Sequence, residues 1–246
     1  MATATAPEQD VGPPQGGQAL PRLSSVTAKT MMAVTGAGLV GFVVAHMLGN
    51  LQIYLGQEAL NAYAYKLKSM PALLWVARGG LILLFAGHLG IAFYLRKLNA
   101  SARPVAYAYA DPVEASLASR TMLLSGLVIF AFLIYHLLHF TLGVTNPSTH
   151  HLVDGNGHHD VYSMVVLSFQ NIFISGAYIV AMVFLGLHLS HAISSMIQTL
   201  GFVSGHSRAW ISRIGLATAG VLMLGNISIP VSVLLGIVGL PEGVSP

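Results

Sequence analysis

Eleven histidines and no cysteine set the chemistry open to this 246-residue chain. Four of the histidines stand toward the far ends of long apolar runs: His46 in GFVVAHMLGN, His88 in LLFAGHLGIA, His136 in SGLVIFAFLIYHLLHF and His188 in GLHLSHAISS. The run that holds His136 extends from Ser125 to Phe140 without a lysine, arginine or carboxylate, and carries a second imidazole, His139. An imidazole in such surroundings needs a partner, because a polar group left unpaired away from water costs free energy. Any one of them alone is explained by a bond to a carbonyl or a serine. One on each of four helices is a ligand set. The absence of thiolates excludes disulfides, thiolate-bound haem and protein-bound iron–sulfur clusters, so a redox centre must be held by histidine or methionine.

The elements that position these residues follow from composition. The chain is 54% hydrophobic and 8% charged, which is far from a soluble domain. A membrane-spanning helix needs roughly 20 mainly apolar residues. Five stretches qualify, at about 29–55, 71–97, 116–144, 166–198 and 209–238. The expected fold is an all-α integral membrane protein, a four-helix haem-binding bundle with a fifth helix added. Residues 1–21, rich in Ala, Pro, Gly and Gln, read as a disordered cytoplasmic tail without the basic and apolar pattern of a signal peptide. Residues 22–246 form the membrane domain. Gly36, Gly38 and Gly41 suit close packing of the first helix in lipid.

Lysine and arginine set the orientation. Arg22, Lys29, Arg96, Lys97, Arg103, Arg120, Arg208 and Arg213 fall on the side of the N-terminus; Lys66, Lys68 and Arg78 fall on the other. The expectation is a multi-pass protein of a bacterial cytoplasmic membrane, N-terminus inside and C-terminus outside. The loop 146–160, with His150, His151, His158 and His159, is then external, and reads as a solvated polar loop before it reads as a metal tract.

Depth follows from the helical rise of about 1.5 Å per residue. His46 and His136 come near the outer side, His88 and His188 near the inner side, so topology pairs His46 with His136 and His88 with His188. Two histidines at one depth on facing helices give the axial ligands of a six-coordinate haem b, and two pairs stack two haems. Such centres carry single electrons and have no open position for bond chemistry. Gly87, Gly90, Gly186 and Gly49 lie near the proposed ligands, where they would let a flat macrocycle approach, and Gly126 lies ten residues before His136, at the depth of the inner pair. His139 and His191 each follow a proposed ligand by three residues, so position alone leaves them open as ligands; the preferred reading gives them bonds to a propionate, a quinone or a neighbouring helix.

From about Thr30 to Gly201 the chain resembles the five-helix, single-chain, di-haem cytochrome b anchor of succinate:menaquinone oxidoreductases and fumarate reductases, respiratory complex II. The resemblance rests on HMLGNLQIYLGQEALNAYAYKLKSMP from His46, GHLGIAFYLRKLN from Gly87, SGLVIFAFLIYH from Ser125 and HLSHAISSMIQTLG from His188. The family places a Thr-Gly or Ser-Gly pair ten residues before its third-helix ligand, which selects His136 after Ser125 and Gly126. A closing pair thirteen residues beyond the fourth ligand selects His188, counting to Gly201, whereas alignment on Thr145, Asn146 and Pro147 favours His139. The resemblance implies a flavoprotein with covalent FAD that oxidises succinate in the cytoplasm. It also implies an iron–sulfur protein that feeds the inner haem, the outer haem and then menaquinone, with Arg96, Lys97, Arg103, Arg120, Arg208 and Arg213 on the docking face. The whole complex could form a higher oligomer; no nucleic-acid partner is expected, and the chain itself holds no dicarboxylate site.

For the quinone, Glu58 is the one carboxylate close to the end of a span, beside Asn50, Gln52 and Tyr54; this group could exchange protons with a headgroup. The position two before His188, where some family members carry a glutamate for compensating proton movement, is Gly186 here. Three alternatives compete. The anchor of a hydrogenase or formate dehydrogenase shares the haem chemistry. A histidine-based metal transporter would need carboxylates inside the spans to offset the ion's charge, and the spans have none. A haem-free structural anchor would be colourless.

Overall fold

The computed structural model describes residues 23–102, 117–203 and 207–241; the tail at 1–21, with Arg22 and Arg103, lies outside them. Helix α1 (Ser25–Asn50) begins at Ser24, whose side chain accepts the Thr27 amide, and runs on into a 3₁₀ turn over Leu51–Leu55. Gly56 stops that turn at φ 97°, a backbone conformation that costs a residue with a Cβ. Helix α2 (Gln57–Lys68) carries Glu58 in its first turn and Lys66 and Lys68 in its last, the charge order that a helix dipole favours. Helix α3 (Pro71–Ser101) starts on its proline, where a missing N–H costs nothing.

After the short α4 (Leu117–Arg120), α5 (Met122–His136) passes into a π-helical turn over Leu137–Thr141. Two short helices, α6 (Pro147–His150) and α7 (Val161–Phe169), flank the loop that precedes α8 (Ile172–Thr199), and α9 (Arg208–Leu234) closes the bundle. Among the described residues there is no strand, only the isolated bridge between Val153 and His159.

Five segments are long and apolar enough to cross a membrane: Ser25–Leu55, Pro71–Ser101, Met122–Thr141, Ile172–Thr199 and Ala209–Leu234. The chain is an all-α membrane protein, as its composition implies. The fourth span starts later than 166 because α7 is a separate helix. Asn171 accepts the amides of Phe173 and Ile174 and so starts α8 afresh, which is the ordinary action of an N-cap.

Pairs of contacts give the directions. Tyr94 reaches the Leu23 carbonyl and His88 reaches Thr35, so α1 and α3 run antiparallel. Ser125 meets His188 and His136 meets Tyr178, so α5 and α8 are antiparallel too. Ser194 meets Ile211 near one end of α8 and Gly186 lies against Met223 further along, which sets α9 antiparallel to α8.

Lipid tails are as apolar as leucine, so close packing rather than burial from water holds such helices together. Glycine supplies the closeness. A Cβ on Gly38 would stand 2.9 Å from Leu84, one on Gly186 2.8 Å from Met223 Sδ, and one on Gly225 2.5 Å from Met47 Sδ. Helix α8 is accordingly the most enclosed span, 33% buried, and α3 the least, at 6%.

Candidate functional site

The four histidines of the apolar runs fall at two levels of the bundle. At the lower level, taken as the end where α1 begins, His88 of α3 and His188 of α8 are half-buried. Each is held through Nδ1 by a hydroxyl on a neighbouring helix: Thr35 Oγ1 lies 3.2 Å from His88 Nδ1, and Ser125 Oγ lies 3.2 Å from His188 Nδ1.

Thr35 Oγ1 is 2.8 Å from the Met31 carbonyl and 3.1 Å from the Met32 carbonyl, and Ser125 Oγ is 3.1 Å from the Met122 carbonyl. A hydroxyl has one hydrogen. With that hydrogen on a carbonyl of its own helix, the oxygen accepts from the imidazole and the ring's proton sits on Nδ1. Nε2 keeps its lone pair, the state a metal ligand requires.

Glycine stands beside each ring of this level. A Cβ on Gly36 would come within 3.4 Å of His88 Cε1, and one on Gly126 within 3.7 Å of His188 Cε1. Each neighbouring helix thus sets a hydroxyl against the imidazole and, at the next residue, leaves the space beside the ring without a side chain.

The upper level lies ten residues further along α1 and α5, roughly 15 Å away at 1.5 Å per residue. His46 and His136 meet edge to face here, with ring centroids 5.7 Å apart. Phe42 stacks on His46 at 5.3 Å, and Phe132 lies 5.7 Å from His136. The Tyr178 hydroxyl is 3.4 Å from His136 Nδ1 and 2.9 Å from His139 Nδ1.

His139 is in a different situation from His136. It is completely enclosed, stacked between Tyr135 at 5.4 Å and Phe140 at 4.1 Å, and its Nε2 has no hydrogen-bond partner among the described residues. The π-helical turn that follows His136 contains it. His191, on α8, is half-buried.

The glycines divide into two groups. Gly126 lies against a proposed ligand and Gly87 against Thr35, whereas Gly49 accommodates Tyr63, whose hydroxyl would be 2.7 Å from a Cβ there, and Gly186 accommodates Met223. The latter two serve helix packing and not the approach of a macrocycle.

The quinone candidates are not gathered at one place. Tyr54 donates to Ser228 Oγ at 2.9 Å and lies 3.1 Å from Ser232 Oγ, tying the end of α1 to α9. Glu58 is exposed in the first turn of α2, while Asn50 and Gln52 are half-buried at the end of α1. None of the four lines the cavity of about 220 Å³ beneath α6, whose walls include His139, Asn146, Thr149, Ser168 and Asn171.

The histidine-rich loop is folded down onto α2. Asn61 of α2, 1% exposed, donates to Asp160 Oδ1 at 2.9 Å and to Asp154 Oδ2 at 3.2 Å, and accepts the Tyr162 amide at 3.0 Å. Gln57 adds a bond to Asp160 Oδ2 at 2.8 Å. Burial pushes the Asp160 carboxyl up, but the bonds from Asn61, Ser163 and Gln57 outweigh it and hold the group below the ordinary carboxylate range. His158 stacks on Tyr65 at 3.9 Å, and His159 Nε2 donates to the His150 carbonyl at 2.6 Å. No cluster of three or more metal-binding side chains occurs among the described residues.

Thr35 and Tyr178 were not singled out in the sequence, and Gly36 only as a packing residue of the first helix, although a signal for two of the three exists. The levels are ten residues apart along a helix, so counting back ten from His46 gives Gly36, and ten from His188 gives Tyr178. No protein-family model matches the chain, and neither a curated protein nor a solved structure does.

Proposed function

We propose that this chain is the di-haem cytochrome b anchor of a succinate:menaquinone oxidoreductase or fumarate reductase. The observation that carries the haem reading is the lower level, where the Thr35 and Ser125 hydroxyls meet Nδ1 of His88 and His188 while within reach of carbonyls of their own helices, an arrangement that supports the tautomer with Nε2 free to bind a metal. The residues fit two b haems: His88 with His188, His46 with His136, and Gly36 and Gly126 leaving room beside the lower rings. A haem between two imidazoles supplies one-electron transfer when bound. The protein's part is to hold the imidazoles in one tautomer, exclude water and fix the two levels roughly 15 Å apart. His136 suits the upper iron better than His139, because His136 faces His46 whereas His139 is enclosed by Tyr135 and Phe140.

The identity of the partners rests on the sequence resemblance. In this reading the lower face, with Lys29, Arg96, Lys97, Arg120 and Arg213, is cytoplasmic and receives the iron–sulfur protein, which in turn carries the FAD subunit. Menaquinone reacts at the upper face. Asn50, Gln52 and Glu58 remain its candidates, whereas the Tyr54 hydroxyl is already engaged by Ser228 and Ser232.

Affinity purification of the tagged chain from its native membrane tests this assignment. The expected result is co-purification of a subunit with covalently bound flavin and one with iron–sulfur signals, and reduction of the haems by succinate. A nickel- or molybdenum-containing partner would transfer the chain to the hydrogenase or formate dehydrogenase type.

A further inference from the structure

One hydroxyl at the upper level serves two imidazoles. Tyr178 Oη lies 2.9 Å from His139 Nδ1 and 3.4 Å from His136 Nδ1, and it has a single hydrogen to give. Two arrangements use that hydrogen. If Tyr178 donates to His136, the proton of His136 sits on Nε2, and that nitrogen has no lone pair for a metal. If His136 donates from Nδ1 to Tyr178, then Tyr178 donates to His139 Nδ1, and His139 carries its own proton on Nε2. Of the two, the second leaves His136 able to bind iron, and it keeps the tyrosine's hydrogen bonded, which a Tyr178 that accepted from both imidazoles would not.

In the second arrangement His139 carries its proton on a buried Nε2 that has no partner among the described residues, at a cost of about 1–3 kcal/mol.

We propose that Tyr178 and His139 are positioning residues for His136. They form a one-way hydrogen-bond chain from His136 Nδ1 to Tyr178 and from Tyr178 to His139 Nδ1, and this chain fixes the metal-binding tautomer of the upper level. The inference rests on the haem reading, and it gives His139 a role without making it a ligand.

The test uses the intact protein and redox titration of both haems. Removing the acceptor at His136 Nδ1 makes the imidazole a weaker donor to iron. Tyr178→Phe is therefore expected to raise the midpoint potential of the upper haem and weaken its binding by about 10–100-fold. The lower haem, unmoved in the same sample, reports that the bundle is folded. His139→Phe keeps the stacked ring but removes the acceptor, and should shift the upper haem in the same direction. His139→Asn, whose Oδ1 can stand where Nδ1 stood, should restore it. If His139 only fills space, Phe will be the better replacement and Asn the worse, and the proposal fails. It fails as well if Tyr178→Phe leaves the upper haem unchanged. A wild-type chain without haem would instead overturn the reading on which the proposal rests.

Discussion

The two histidine levels solve one problem in different ways. At the lower level each imidazole meets a single hydroxyl, Thr35 or Ser125, which is also within reach of a carbonyl of its own helix. At the upper level one tyrosine hydroxyl is shared between His136 and His139, among the rings of Phe132, Tyr135, Phe140 and Phe169. The lower site is thus supported locally, one hydroxyl to each ring. The upper site depends on a relay that has two possible directions. A change at the lower level should act on one ring, whereas a change at the upper level should spread through the aromatic cluster.

The largest expected effect separates the levels outright. His88→Ala or His188→Ala should remove the lower haem and keep the upper, while His46→Ala or His136→Ala should do the reverse, as counted by a pyridine haemochrome assay and redox titration. Loss of the same haem in His46→Ala and His88→Ala would break the pairing. Next comes the space beside the lower rings. Gly126→Leu should abolish the lower haem, whereas Gly126→Ala, with a Cβ 3.7 Å from His188, makes only ordinary contact and should retain it. Full retention of the lower haem in Gly126→Leu would show that helix α5 does not pass the macrocycle.

A smaller effect sharpens the difference between the two kinds of support. Ser125→Ala or Thr35→Val should weaken the lower haem by about 10–100-fold and leave the upper haem's potential where it was. An equal effect on both haems in a haem-transfer titration would mean that the levels are not independent.

The smallest effect concerns the cap over the upper level. Asn61→Ala would leave the Asp160 carboxylate and the Tyr162 amide short of partners, a cost of about 1–3 kcal/mol, visible as faster hydrogen exchange at residues 154–163 with both haems retained. The pH dependence has a definite sign. The Asp160 carboxyl is held below its ordinary range, so its contribution is fully present above the unfolded value of about 3.9 and is lost as pH falls through the lower folded value. Protease protection of the loop should stay constant from neutral pH down to about 4 and fall below it.

The sequence made the spans legible because a bilayer demands long apolar runs, and Pro71 marks one of their starts; the fourth, read from 166, starts later because α7 ends at Phe169 and Asn171 caps a new helix. It also placed Gly126 at the lower level, since helical rise converts ten residues into a depth. What it hid was anything that depends on rotation about a helix axis. Gly49 and Gly186 stand close to the proposed ligands in sequence, yet they turn toward Tyr63 and Met223. Tyr54 looks like a free hydroxyl near the membrane surface until the fifth span brings Ser228 and Ser232 to it. Asn61 and Asp160 are 99 residues apart, and no local pattern announces that they meet. His136 and His139 differ by three residues, and only their neighbours tell the ring that faces His46 from the ring sealed between aromatic side chains.

The most direct test is a reduced-minus-oxidised optical spectrum of the purified chain, combined with a pyridine haemochrome determination of haem b per polypeptide. Two haems per chain, with two resolvable potentials, is the predicted result. A colourless protein would contradict the account at its centre, and a single haem would contradict one of its two levels.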